Sequence, residues 1–148
     1  YEDLGAFKLY PCDVGLLRRL SQLDTSAFLH PSRLFTEFKG AFAETYILQS
    51  LSASFSVPLR YWKSSDNRYE VDFLLQYKNL VIPIEVNANT NISSPSLKAI
   101  KRLEGEDFPL RIRYSMQNLA LSGDVLNIPL FMADRSEQLI TLALQSVL

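Results

Sequence analysis

Between Arg33 and Ser54 the apolar residues fall at helical spacing. Phe35, Phe38 and Phe42 form one series, and Ala41, Leu48, Leu51 and Phe55 form another. Pro58 lies just past the end, so the pattern predicts one long helix over residues 33–54. The period then shortens. Residues 58–63, 69–77 and 80–86 read as strands, separated by the polar run 64–68 and by Lys78-Asn79. Residues 87–94 are a polar loop, and Pro95–Glu104 reads as a helix with Ser94 as N-cap and Pro95 at its first position. Leu110–Tyr114 is a further strand, Ser122-Gly123-Asp124 a turn, and the pattern is helical from about Pro129 to the end. Upstream, Phe7–Tyr10 is a short strand candidate, Asp13 is placed to cap a helix over Val14–Leu20, and residues 21–32 are polar and turn-rich. From residue 33 the order is helix, strand, strand, strand, helix, strand, helix, which predicts an α/β fold with a small mixed sheet flanked by helices.

Composition narrows the classes. The chain has 148 residues, 47% hydrophobic and 21% charged, which is the make-up of one globular domain. Its longest apolar runs fall far short of the ~20 residues that span a bilayer, so a soluble, cytoplasmic protein with no membrane contact is expected. One cysteine, Cys12, excludes a disulfide framework and a cysteine-based zinc site. Its neighbours read it as packing. Fifteen Lys and Arg against sixteen Asp and Glu leave a net charge of −1, so nucleic-acid binding would need a local basic patch. Lys98, Lys101 and Arg102 share a helix face, and Lys63 and Arg68 cluster with Arg60. Either group could contact phosphates of DNA or RNA, against the plainer reading of a solvated charged face. His30 stands alone in a loop, and Trp62 on a strand reads as core. No phosphate-loop motif occurs among the five glycines.

The candidate chemistry lies on the hairpin. A two-residue turn at Lys78-Asn79, with Asn79 able to take positive φ, pairs Tyr77 with Leu80 and fixes the register of everything beyond. Val71, Phe73, Leu75, Tyr77, Leu80, Ile82, Ile84 and Val86 then share one apolar face. On the other face Asp72 falls opposite Glu85, and Glu70 opposite Asn87. Like charges so placed destabilise a sheet. A divalent cation would offset this, because Mg²⁺ accepts one or two carboxylates together with waters and phosphates. Glu44 lies among the inward-facing residues of the long helix and could approach the same spot. The alternative is an ordinary solvated sheet face.

These residues also carry a resemblance. Tyr61-Trp62-Lys63-Ser64, Tyr69–Leu75 and Ile82–Val86 resemble the C-terminal domain of unknown function of prokaryotic AAA+-type ATPases, which is assigned to the PD-(D/E)XK nuclease superfamily. Phe7–Tyr10, Asp13–Leu17, Gly40–Glu44, Ser96-Leu97-Lys98 and Ile128-Pro129-Leu130 match the same group. The resemblance implies a restriction-endonuclease-like αβββαβ core over residues 33–148. It makes residues 1–32 a connecting segment from an upstream ATPase region that would hold the ATP. It implies Asp72 and Glu85 as ligands of Mg²⁺ or Mn²⁺ for phosphodiester hydrolysis, with Glu44 assisting. Active members carry lysine where this chain has Asn87, and losing such a charge typically costs ~10²–10³ in rate. Lys98 and Lys63 are the nearest replacements by sequence. A weakened nuclease, a non-catalytic module that binds nucleic acid or protein, and a domain with no site all stay open.

Overall fold

The computed structural model describes residues 7–24, 26, 33–88, 93–105 and 108–147, with the backbone alone for 33–38. His30 and the side chains of Phe35 and Phe38 lie outside the described residues. The elements are α1 (Val14–Leu20), α2 (Arg33–Ser54), β1 (Arg60–Lys63), β2 (Glu70–Tyr77), β3 (Leu80–Asn87), α3 (Pro95–Glu104), β4 (Arg111–Ser115), β5 (Ala120–Ser122), β6 (Val125–Pro129), a 3₁₀ turn (Leu130–Arg135) and α4 (Ser136–Val147). The order from α2 to β4 is the expected αβββαβ. Six strands form one mixed sheet in the order β1-β2-β3-β4-β6-β5. β3, β4 and β6 run parallel, and the other pairings are antiparallel. No helix among the described residues is long and apolar enough to cross a membrane.

The main core lies between the sheet and α2 with α4. It is built from Ile47, Leu51 and Phe55 of α2, Phe73, Leu75, Ile82, Ile84, Ile112 and Tyr114 of the sheet, and Ile140 and Leu144 of α4. A second cluster, on the α3 side, holds Val71, Leu97, Ile100 and Phe108, with Trp62 and Leu74 against it. The buried stripe of α2 therefore runs through Ala43, Ile47 and Leu51. Ala41, expected to face inward, is exposed, and Glu44 sits half-buried at the rim of the stripe.

Several local expectations need correction. Phe7–Tyr10 is not a strand: Phe7 and Leu9 are exposed at 69% and 85%, while Lys8 and Tyr10 turn inward. β1 begins at Arg60, not at Pro58. At the hairpin Lys78, not Asn79, takes the positive φ of 56°. Cys12 is exposed. Trp62 is half-buried, with Nε1 donating to Glu104 Oε1 at 2.7 Å. The chain after Pro129 makes a 3₁₀ turn before it becomes α-helical. The Asp13 cap is as expected, with its Oδ1 accepting from the Leu16 amide at 2.8 Å.

The hairpin register is the expected one from Tyr77↔Leu80 to Phe73↔Ile84. Beyond that point β1 intervenes. It pairs Arg60 with Leu74 but Trp62 with Val71, so Asp72 and Phe73 together face the single residue Tyr61. This is a β-bulge, and a bulge reverses the parity of the residues beyond it. Val71 accordingly packs with the α3-side cluster rather than with Phe73 and Leu75. The all-apolar single face expected for the hairpin breaks there.

Candidate functional site: a carboxylate centre at the forked hairpin

The bulge places Asp72 where β2 and β3 part. In the expected register the Val86 amide would bond across to β2 backbone. Instead it donates to Asp72 Oδ2 at 2.8 Å. A side chain thus stands in for a strand, and the directly opposed Asp72–Glu85 pair of the sequence reading gives way to a fork. Beyond the fork β3 pairs with β4 alone, with Glu85 beside Arg113 and Asn87 beside Ser115. Pro83, which has no amide to donate, precedes the first β3–β4 pair at Ile84↔Ile112.

The segment 7–10 and Glu44 of α2 lie near Asp72. Lys8 makes an ion pair with Glu70 Oε1 and lies 3.6 Å from Asp72 Oδ1. Its Nζ is also 5.4 Å from the centre of the Tyr61 ring, the residue opposite the bulge. Tyr10 donates from its hydroxyl to Glu44 Oε2 at 3.1 Å, and its ring packs on Phe73 with centroids 6.0 Å apart. The same segment, α1 and α2 line an open cleft of about 310 Å³, with Lys8, Tyr10, Leu17 and Glu44 among its walls.

Glu85 meets the first turn of α3. The Leu97 amide, one of the donors a helix leaves open at its start, favours the charged form of the Glu85 carboxyl. Ser94, expected to cap this helix, makes no side-chain cap bond. Its Oγ accepts instead from Arg113 Nη1 at 3.4 Å. Glu85 Oε2 is buried with no hydrogen-bond partner among the described residues.

The electrostatics follow from crowding. Burial, above all, raises the Asp72 carboxyl to about 6, with Glu44 and Glu70 adding and the Val86 amide and Lys8 opposing. Burial and then the Asp72 charge raise Glu85 to about 7, against the Leu97 amide and Arg113. Burial works against the Lys8 ammonium, but the carboxylates around it hold its pKa above the ordinary lysine value. Burial and Glu44 push the Tyr10 phenol up, which keeps it a donor.

Among the described residues no group of three or more His, Cys, Asp and Glu side chains is arranged to hold a metal ion. The donor set is thus a pair, Asp72 and Glu85, with Glu44 engaged by Tyr10. Two carboxylates, one with an unpaired buried oxygen, fit a Mg²⁺ or Mn²⁺ ion that keeps most of its water.

The remaining candidates disperse. Lys98 and Arg102 are exposed on α3, whereas Lys101 pairs with Asp124 Oδ2 at 2.9 Å. Arg68 lies 3.3 Å from Asp66 Oδ2, and Lys63 is exposed at the end of β1. The lysine at Asp72 is Lys8, which sequence reasoning missed. The signal for it was the alternation of Phe7–Tyr10, which sets Lys8 and Tyr10 on one side.

Comparison with known proteins adds one match. The sequence profile of a domain of unknown function (DUF4143) matches residues 39–131, well over half of the chain. No curated protein matches. No solved structure matches.

Proposed function

The chain belongs to the DUF4143 family of domains of unknown function, and we propose that it is a nuclease-fold domain of PD-(D/E)XK type, attached to a prokaryotic AAA+-type ATPase, with a weakened metal-dependent phosphodiesterase site. The observation that carries this reading is the fork. Asp72 Oδ2 caps the Val86 amide while Glu85 keeps a buried oxygen without a partner. Both carboxyls are pushed well above their ordinary range. Two raised carboxyls near a broken ladder, close enough for the Asp72 charge to raise Glu85, are costly for folding alone, and a divalent cation between them would relieve it. Bound there, Mg²⁺ or Mn²⁺ would polarise a phosphodiester and lower the pKa of a water. Asp72 and Glu85 would hold the ion, and Glu44, through Tyr10, would set the charge behind Asp72. Asn87 offers dipoles where a lysine would offer a charge, and this weakens stabilisation of the transition state.

The second reading is a non-catalytic module that binds nucleic acid or protein and regulates the ATPase. It is favoured by Asn87 and by the Lys8 ion pairs at the acidic centre. Incubation with single-stranded and duplex DNA and RNA plus Mn²⁺ separates the two. Under the first reading Asn87→Lys cleaves and Asn87→Lys/Asp72→Asn does not. Absence of cleavage by both, with a gel shift that weakens at higher salt, supports the binding module.

A further inference from the structure

The centre already contains a cation that belongs to the chain. Lys8 lies against Glu70 and 3.6 Å from Asp72, with its side chain 23% exposed. The segment that delivers it forms no strand, so the sheet does not hold it there. Side chains hold it: the ammonium on the β2 carboxylates and over the Tyr61 ring, the Tyr10 hydroxyl on Glu44 at 3.1 Å, and the Tyr10 ring on Phe73. Phe7 and Leu9 between and beside these points are largely solvent-exposed and add little anchorage.

We propose that residues 7–10 form an autoinhibitory strap in which Lys8 takes the place of the divalent cation at Asp72. The inference rests on the metal-centre reading above and adds a regulator to it. A tethered ammonium acts at a high effective concentration, so it screens Asp72 whenever the strap is docked. A single positive charge offsets only part of the local negative charge, and it leaves Glu85 Oε2 unpaired. A divalent ion that gains both carboxylates must expel Lys8, and the coupling is reciprocal: whatever lifts the strap tightens the metal, and the metal loosens the strap.

The test is Mn²⁺ calorimetry on the chain, on Lys8→Met and on Tyr10→Phe. The methionine keeps the apolar stem and removes the charge, and the phenylalanine keeps the packing on Phe73 and removes the latch. Lys8→Met is expected to bind Mn²⁺ about tenfold more tightly, within the usual range of coupling between sites, with Tyr10→Phe in between. In the unsubstituted chain Mn²⁺ is expected to speed tryptic cleavage after Lys8. Equal Mn²⁺ affinity in all three proteins overturns the strap and leaves the metal centre standing. Binding by none of them overturns both. Weaker binding by Lys8→Met shows that Lys8 helps the ion rather than excludes it, and that also overturns the strap.

Discussion

Asp72 Oδ2 accepts the Val86 backbone amide at 2.8 Å, so a carboxylate completes the hydrogen bonding of a strand that has lost its neighbour. Asp72 therefore serves the fold and the charge of the centre together. Asp72→Ala leaves a buried amide without an acceptor, at about 1–3 kcal/mol. Asp72→Asn keeps an acceptor and removes the charge. Chemical denaturation is expected to rank the variants with alanine the least stable at pH 7. Equal stability for alanine and asparagine would show that the Val86 bond contributes nothing.

The raised carboxyls make stability fall with rising pH. In the unfolded chain Asp72 and Glu85 titrate near 3.8 and 4.5, and in the folded chain near 6 and 7. The folded state thus binds the protons more tightly. The stability they contribute is full below about pH 4 and is lost as the pH rises through 6 and 7. Glu85→Gln keeps the size of the side chain, removes its charge and should stabilise the chain at pH 8 but not at pH 4. A pH-independent effect of this substitution would refute the assignment.

Arg111 is buried on β4 and donates to the Leu97 carbonyl at 2.7 Å and to Asp124, which Lys101 also engages. Burial opposes the Asp124 charge, but these two cations more than offset it and lower its pKa. Asp124→Ala should cost about 2–3 kcal/mol, because it leaves a buried guanidinium without its carboxylate. Pairing Asp124→Leu with Arg111→Met should recover most of that loss in thermal unfolding. A double variant as unstable as the sum of its parts would contradict this account.

Lys78 holds a positive φ of 56° at the hairpin turn, a conformation that costs a residue with a Cβ roughly 1–2 kcal/mol. Lys78→Gly removes that strain and gives back part of it as unfolded-chain entropy. A net gain of about 0.5–1 kcal/mol is expected. Destabilisation in urea titration would mean that the lysine side chain supports the turn in some other way.

What was legible in the sequence was local. The Asp13 cap, the start of α3 at Pro95 and the register through Phe73↔Ile84 each depend on residues close in the chain, and each has a short-range signature. The bulge was not legible, because it exists only through the pairing of Trp62 with Val71 on a separate strand. Nor was the role of Lys8, which reaches across 62 positions to Glu70. Its segment reads as a short strand because Phe7, Leu9 and Tyr10 are apolar or aromatic. Alternation fixes which residues share a side, but not which side faces inward. Ser94 failed as a cap for a related reason: its hydroxyl accepts from Arg113, a residue of the sheet.

Mn²⁺ calorimetry with and without the Asp72 carboxylate is the most direct measurement of the divalent centre. It is carried out on the chain and on Lys8→Met, each alone and with Asp72→Asn. The account predicts saturable binding of one Mn²⁺ per chain that disappears with Asp72→Asn in either background. Heat that is unchanged by that substitution, or no binding in any of the four proteins, would contradict it.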